Sequence, residues 1–205
     1  DALRNAMRQA PDCILIGEIR DQETMRMALT YALSGHLCLA TLHANNSYQA
    51  MNRVISFFPL EVRPMLLQDL SVSLRAIISQ RLIKTVDGKR TPAVEVLLNT
   101  RNVAEAIEKG EVGEVKEMME KSMSPGSQTF EQDLFRLVRQ GRISTDEALS
   151  NADSATNLGL LLGNSGIMPA MAERAKGVAA PAKGGGSPFS DFKISEEPSE
   201  PRFGG

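Results

Sequence analysis

Residues Cys13-Ile14-Leu15-Ile16 form a short apolar run, closed by Gly17 and followed at once by Glu18-Ile19-Arg20-Asp21. A run this short, bounded by glycine, reads as a buried strand of a parallel sheet. In an open α/β sheet, ligands bind beyond the carboxyl ends of the strands. The pattern therefore puts the Glu18 carboxylate where it can hold a metal ion or orient a water. The plainer alternative is a strand followed by a solvated, charged turn.

A second segment repeats the design. Residues 37–42 are largely apolar and run into His43-Ala44-Asn45-Asn46-Ser47, where Asn46 or Ser47 is suited to cap a following helix. Between the two runs, Met25, Ala28, Leu29, Ala32 and Leu33 recur at helical spacing over residues 22–34. Strand–helix–strand is the natural reading, and the crossover makes the strands parallel, with both polar ends at one edge. His43 is then expected beside Glu18. Its alternative is a structural role, donating to a backbone carbonyl at the strand end.

Further along, residues 60–83 carry Val62, Met65, Leu66, Leu70, Leu74, Ile77 and Ile78, which predict one long helix with Pro64 in its first turn. Residues 85–98 read as a strand or hairpin pair around Asp87-Gly88. Residues 102–120 are helical, broken near Gly110. Residues 127–140 form an amphipathic helix with Phe130, Leu134, Leu137 and Val138 on one face, closed by Gly141. Ser144-Thr145-Asp146-Glu147 opens a short last helix. The composition changes from about Asn164. Met168–Gly205 is rich in Gly, Pro, Ala, Ser and charge, and buries too little apolar surface to offset its ordering entropy, so a disordered tail is expected.

With a net charge of −2, no overall attraction to nucleic acid or to an acidic membrane surface is indicated. No apolar stretch approaches the length of a membrane span. Cys13 and Cys38 lie inside apolar runs and read as buried thiols, in keeping with a reducing cytoplasm. Without any C-x-x-C pair, no structural zinc is expected.

Glu18 and His43 belong to strings that resemble known motifs. GEIRD after an apolar strand, then GHLCLATLHANNS from Gly35, resemble the Walker B and His-box segments of the secretion-type hexameric ATPases. The resemblance continues through Ser79-Gln80-Arg81-Leu82-Ile83 and Glu95-Val96-Leu97-Leu98-Asn99-Thr100. It runs on through Gln128-Thr129-Phe130-Glu131-Gln132-Asp133-Leu134-Phe135 and Ala148-Leu149-Ser150-Asn151-Ala152, and covers about residues 2–153. The pattern is similar to the type IV pilus retraction branch, the PilT/PilU family, and most of all to its PilU side.

That resemblance implies an α/β fold, the C-terminal part of a RecA-like P-loop ATPase domain with a helical C-terminal portion and a disordered tail. The implied divisions are 1–100 for the ATPase core with Walker B and His box, 101–160 for the helical portion and 161–205 for the tail. The implied activity is ATP hydrolysis driving pilus retraction and twitching motility, with ATP and Mg2+ as cofactors. By the same resemblance, Glu18 is the Walker B carboxylate, holding magnesium through water or orienting the attacking water. His43 is the His-box residue that senses the γ-phosphate or links it to domain movement. Arg20 and Asp21 are placed with Glu18 and His43 in the nucleotide-binding set, and pair with each other or across a subunit boundary, with a structural ion pair as the favoured role. The implied partners are further copies in a hexameric ring, a PilT-like ATPase and the inner-membrane pilus platform protein. The implied location is cytoplasmic, peripheral to the inner membrane at the pilus base.

Two departures qualify the match. The sequence contains no G-x-x-x-x-G-K-[ST]; the nearest string, Asp87-Gly88-Lys89-Arg90-Thr91, reads as a hairpin turn. The phosphate loop is therefore expected upstream of Asp1 in a longer protein, and these 205 residues alone are not expected to bind ATP tightly. Where PilT has an AIRNLIRE helix, this chain has Asn102-Val103-Ala104-Glu105-Ala106-Ile107-Glu108-Lys109-Gly110-Glu111, with Ala and Glu replacing two arginines. This favours a PilU-like accessory motor working beside a PilT-like partner. Many assembly ATPases carry a four-cysteine metal site after the segment matching residues 79–83, and its absence here favours the retraction branch. A non-catalytic ring subunit or scaffold, and an ATPase for secretion, pilus extension or DNA transfer, are the alternatives.

Overall fold

The computed structural model describes residues 11–121 and 124–166. Strands β1 (Cys13–Ile16) and β2 (Leu37–Ala40) pair in parallel, with Cys13 opposite Leu37 and Ile16 opposite Ala40. Helix α1 (Gln22–Leu33) makes the crossover that a parallel pair requires. Met25, Ala28, Leu29 and Tyr31 are its buried residues. The strand–helix–strand reading holds.

The burial expected of those strands does not. Ile14 and Ile16 are buried, but Leu15 is 75% exposed, and Leu37 and Leu39 are also open. Successive strand side chains point to opposite faces. Among the described residues, this two-stranded sheet is covered on one face only. Cys13 is consequently exposed and Cys38, opposite Ile14, is half-buried, which corrects the expectation of two buried thiols. Burial pushes the Cys38 thiol up, and nearby Cys13 adds to the effect.

Helix α2 (Ser47–Ser56) starts at Asn46, whose side chain accepts the Gln49 N–H at 2.9 Å. A 3-10 turn (Leu60–Val62) leads into α3 (Arg63–Ser73), with Pro64 in its first turn as expected. The single long helix predicted for residues 60–83 is not formed. Leu74 turns extended, with ψ 137°, and Ala76–Lys84 is strand β3. It pairs antiparallel with β4 (Arg90–Leu98), from Ala76 opposite Leu98 to Lys84 opposite Arg90. Ile77, Ile78 and Ile83 are β-branched and suit a pleated surface. The helix is also stopped from a distance. The Asn99 side chain donates to the Ser71 and Leu74 carbonyls, both at 2.9 Å. The hairpin turn falls at Asp87-Gly88, as read from the sequence, but its first strand begins at Ala76.

Helix α4 (Arg101–Lys109) ends at Gly110, whose φ of 78° suits a residue without a Cβ. A 3-10 turn (Val112–Glu114) and α5 (Val115–Lys121) follow, matching the predicted break. Helix α6 (Phe130–Arg139) begins later than expected because Gln128 forms a bridge with Val96. Thr129 and Gln132 then make a reciprocal capping box. Helix α7 (Thr145–Asn151) is capped by Ser144. It is not the last helix: α8 (Ala155–Asn164) follows, capped by Ser154, and buries Leu158 and Leu162. The boundary expected at residue 161 falls inside α8, while Met168–Gly205 lies outside the described residues.

One hydrophobic core runs from Ile14 to Met119, so it crosses the division expected at residue 100. Helix α6 packs on β4 and on α8. No helix among the described residues is long and apolar enough to cross a membrane.

Candidate active site

The pairing of β1 and β2 continues beyond their last strand residues. Ile19 donates its N–H to the Thr41 carbonyl at 2.9 Å, and the Thr41 hydroxyl donates to the Gly17 carbonyl. These bonds hold the two polar strand ends side by side. Glu18 Oε2 accepts from Arg20 Nε at 2.6 Å and lies 2.5 Å from Arg20 Nη2. Glu18 Oε1 faces His43 Nε2 at 3.0 Å. The juxtaposition expected from the crossover is therefore present.

Exposure differs sharply within this group. The Glu18 side chain is 20% exposed, against 74% for Arg20 and 80% for His43. The carboxylate is recessed and its two partners face outward. The Arg20 hydrogen bond holds the Glu18 carboxyl below its ordinary range. Partial desolvation opposes that shift, and the charges of Arg20, His43 and Arg53 support it. Glu18 is thus an anionic acceptor at neutral pH.

Within the chain, Asp21 departs from one of its two expected pairings. It does not pair with Arg20, because Glu18 takes the guanidinium and the free N–H groups of α1 take the Asp21 carboxylate. Asp21 accepts the Thr24 N–H at 2.8 Å, which holds its carboxyl below the usual value. Of the four residues singled out, Glu18, Arg20 and His43 converge, and Asp21 serves as a helix cap.

The donor set fits magnesium in one way. Among the described residues, no group of three or more His, Cys, Asp or Glu is assembled to hold a metal ion. Magnesium does not need such a cage. It keeps several waters and takes one or two carboxylates together with substrate phosphates. Glu18 Oε2 is occupied twice by Arg20, whereas Oε1 keeps acceptor capacity beside His43.

A second polar cluster supports the loop that carries His43. Arg81, on β3, donates to the Asn45 carbonyl at 3.2 Å and to the Asn151 carbonyl at 2.8 Å. It also forms an ion pair with Asp153 Oδ1, while Asp153 Oδ2 accepts from the Asn46 side chain at 2.9 Å. The guanidinium carbon lies 4.0 Å from the centre of the buried Phe130 ring. Next to it, Ser47 donates its N–H to the buried Glu95 at 2.7 Å. No local pattern marks Arg81, Asp153 or Glu95 as part of one site. Their only signal was that the quoted strings at residues 79–83, 95–100 and 148–152, the last ending just before Asp153, occur in one chain.

The family model for type II/IV secretion system proteins matches residues 1–91. The chain is 52% identical over 162 residues to the type IV pilus ATPase PilU of Pseudomonas aeruginosa, covering 78% of this chain and 42% of that protein. Residues 1–91 thus carry the sequence pattern of the type II/IV secretion system protein family. The chain is also 40% identical over 157 residues to the pilus ATPase PilT of the same organism, covering 77% of this chain and 46% of PilT. The crystal structure of the pilus retraction motor PilT with bound ADP matches with a TM-score of 0.71 at 35% identity, over 78% of this chain and 45% of that one. The ATPase DotB of Legionella pneumophila matches with a TM-score of 0.63 at 33% identity, over 72% and 40%. The chain spans less than half the length of these secretion-family relatives. Its mixed α/β architecture is that of the C-terminal part of a RecA-like ATPase, as the motifs implied.

Proposed function

We propose that this chain is the Walker B and His-box portion of an ATP-hydrolysing motor for type IV pilus retraction and twitching motility. The observation that carries the reading is the Glu18–His43 contact at the end of a parallel strand pair, in a chain 52% identical to an ATPase of type IV pili. Phosphoryl transfer asks the protein chiefly for positioning and for charge stabilisation. Glu18 supplies an ionised acceptor at the strand end, and Arg20 keeps it ionised and oriented. Glu18 is also the side chain suited to hold magnesium through water. When bound, that ion neutralises charge on the terminal phosphates. His43 is open enough to meet the γ-phosphate while touching the same carboxylate. In this reading the phosphate loop lies in a longer protein that includes these residues, and that protein works as a hexameric ring at the cytoplasmic side of the pilus base. Its partners are a PilT-like ATPase and the inner-membrane platform protein.

The greater identity to PilU than to PilT favours an accessory retraction motor within this reading. The test is Glu18→Gln in the full-length protein, assayed with MgATP. Turnover is expected to fall by about 10²–10⁴-fold, the range for losing a positioned acid–base group. ATP binding is expected to change little. Near-normal turnover removes Glu18 from this role.

A further inference from the structure

We infer that Arg81 is a positioning residue for the loop carrying His43, and that it fixes this loop to the last helices through Asp153. The inference deepens the ATPase reading of the Glu18–His43 site and rests on it only for its catalytic arm. Arg81 binds three acceptors at once: the Asn45 carbonyl, two residues past His43, the Asn151 carbonyl at the end of α7, and Asp153 in the α7–α8 connection. Asp153 completes a closed circuit. Its second oxygen holds Asn46, which is also the N-cap of α2. One carboxylate therefore ties both ends of the bridge, and one guanidinium ties the loop to α7 and, by stacking on Phe130, to the start of α6.

The side chain suits this task. Arginine presents five donors in a planar fork that also stacks on an aromatic face, which lysine's compact ammonium cannot reproduce. The Arg81 side chain is 22% exposed and that of Asp153 16%, so the pair is partly shielded from solvent. His43 itself projects outward and is held against Glu18 from one side, while its backbone is held from the other side through Asn45. If α6–α8 shift, the Asn45 anchor shifts with them, and the His43–Glu18 separation changes. A misplacement of about 1 Å in a reacting group costs on the order of a hundredfold in rate. The docking of the last helices is thereby read out at the nucleotide-facing edge.

The experiment compares Arg81→Lys, Asp153→Asn and the double variant Asn46→Asp/Asp153→Asn in the full-length protein. The double variant moves the carboxylate across the same hydrogen bond and preserves the net charge. Two readouts are taken: steady-state hydrolysis of MgATP, and amide hydrogen exchange resolved by residue. Each single variant is expected to lower kcat by about ten- to a hundredfold with KM little changed. Exchange at Ser47 and Gln49 is expected to quicken by about tenfold or more, as the loss of a charge-assisted bond predicts. Exchange at Leu134 and Leu137 stays as it was, and the double variant recovers both readouts. Unchanged exchange at Ser47 and Gln49, or a uniform rise across every helix, overturns the inference. If the parent protein hydrolyses no ATP, the motor reading fails, and the exchange pattern still decides the role of Arg81.

Discussion

Glu95 is buried and keeps its carboxylate against the Ser47 N–H. Desolvation raises its pKa; the Ser47 bonds oppose that shift, nearby Asp153 adds to it, and Lys116 reduces it. A raised carboxyl binds its proton more tightly in the folded chain than in the unfolded one. Stability from this group is therefore greatest at low pH and falls as pH rises above about 4.5. Glu95→Gln keeps an oxygen for Ser47 and removes the charge. Its Tm is expected to exceed that of the parent at pH 8, with the gap closing towards pH 4.5, in thermal melts across that range. Glu18 and His43 were legible in the sequence because each closes a short apolar run and one helix fixes how the runs pair. Glu95 was not, because its partner lies 48 residues away and its own strand reads as ordinary alternation. The choice of Arg20 for Glu18 over its neighbour Asp21 was equally hidden, since the free N–H groups of α1 compete for Asp21 only once the helix exists.

Helix α3 and strand β3 show where pattern misleads. The positions from Val62 to Ile78 satisfy helical spacing throughout, yet the chain leaves the helix after Ser73. What decides the matter is a nine-residue pairing with β4 and a side chain beyond that strand. Asn99 satisfies two carbonyls at the end of α3 that the helix itself leaves open. Asn99→Ala is expected to destabilise the fold by about 1–3 kcal/mol, the cost of orphaning buried polar groups, measured by urea unfolding. Helix α8 was missed for a different reason. Gly159 and Gly163 each disfavour a helix by about 1 kcal/mol relative to alanine. Burial of Leu158 and Leu162 in the α6–α8 packing outweighs that, and no local reading contains it. The capped ends of α6 and α7, by contrast, were written in neighbouring residues, and the structure keeps them.

Taken as one body, the described chain leaves an apolar sheet face in solvent, with Leu15, Leu37 and Leu39 exposed on it. Surfaces of this kind drive association. The 205-residue chain is expected to self-associate in sedimentation experiments, and Leu15→Lys is expected to reduce this without lowering Tm, because Leu15 touches no core. Apolar runs alone did not disclose this, since they say how greasy a strand is and not how many layers cover it. The Asn46–Asp153 bond joins residues 107 positions apart. At about 5–20 residues per second, the ribosome releases Asp153 roughly 5–20 s after Asn46. The loop around His43 is thus synthesised well before the carboxylate that fastens it to the last helices, and a nascent chain stopped short of Asp153 carries its Glu18–His43 pair on a loop held by Arg81 and Glu95 without Asp153.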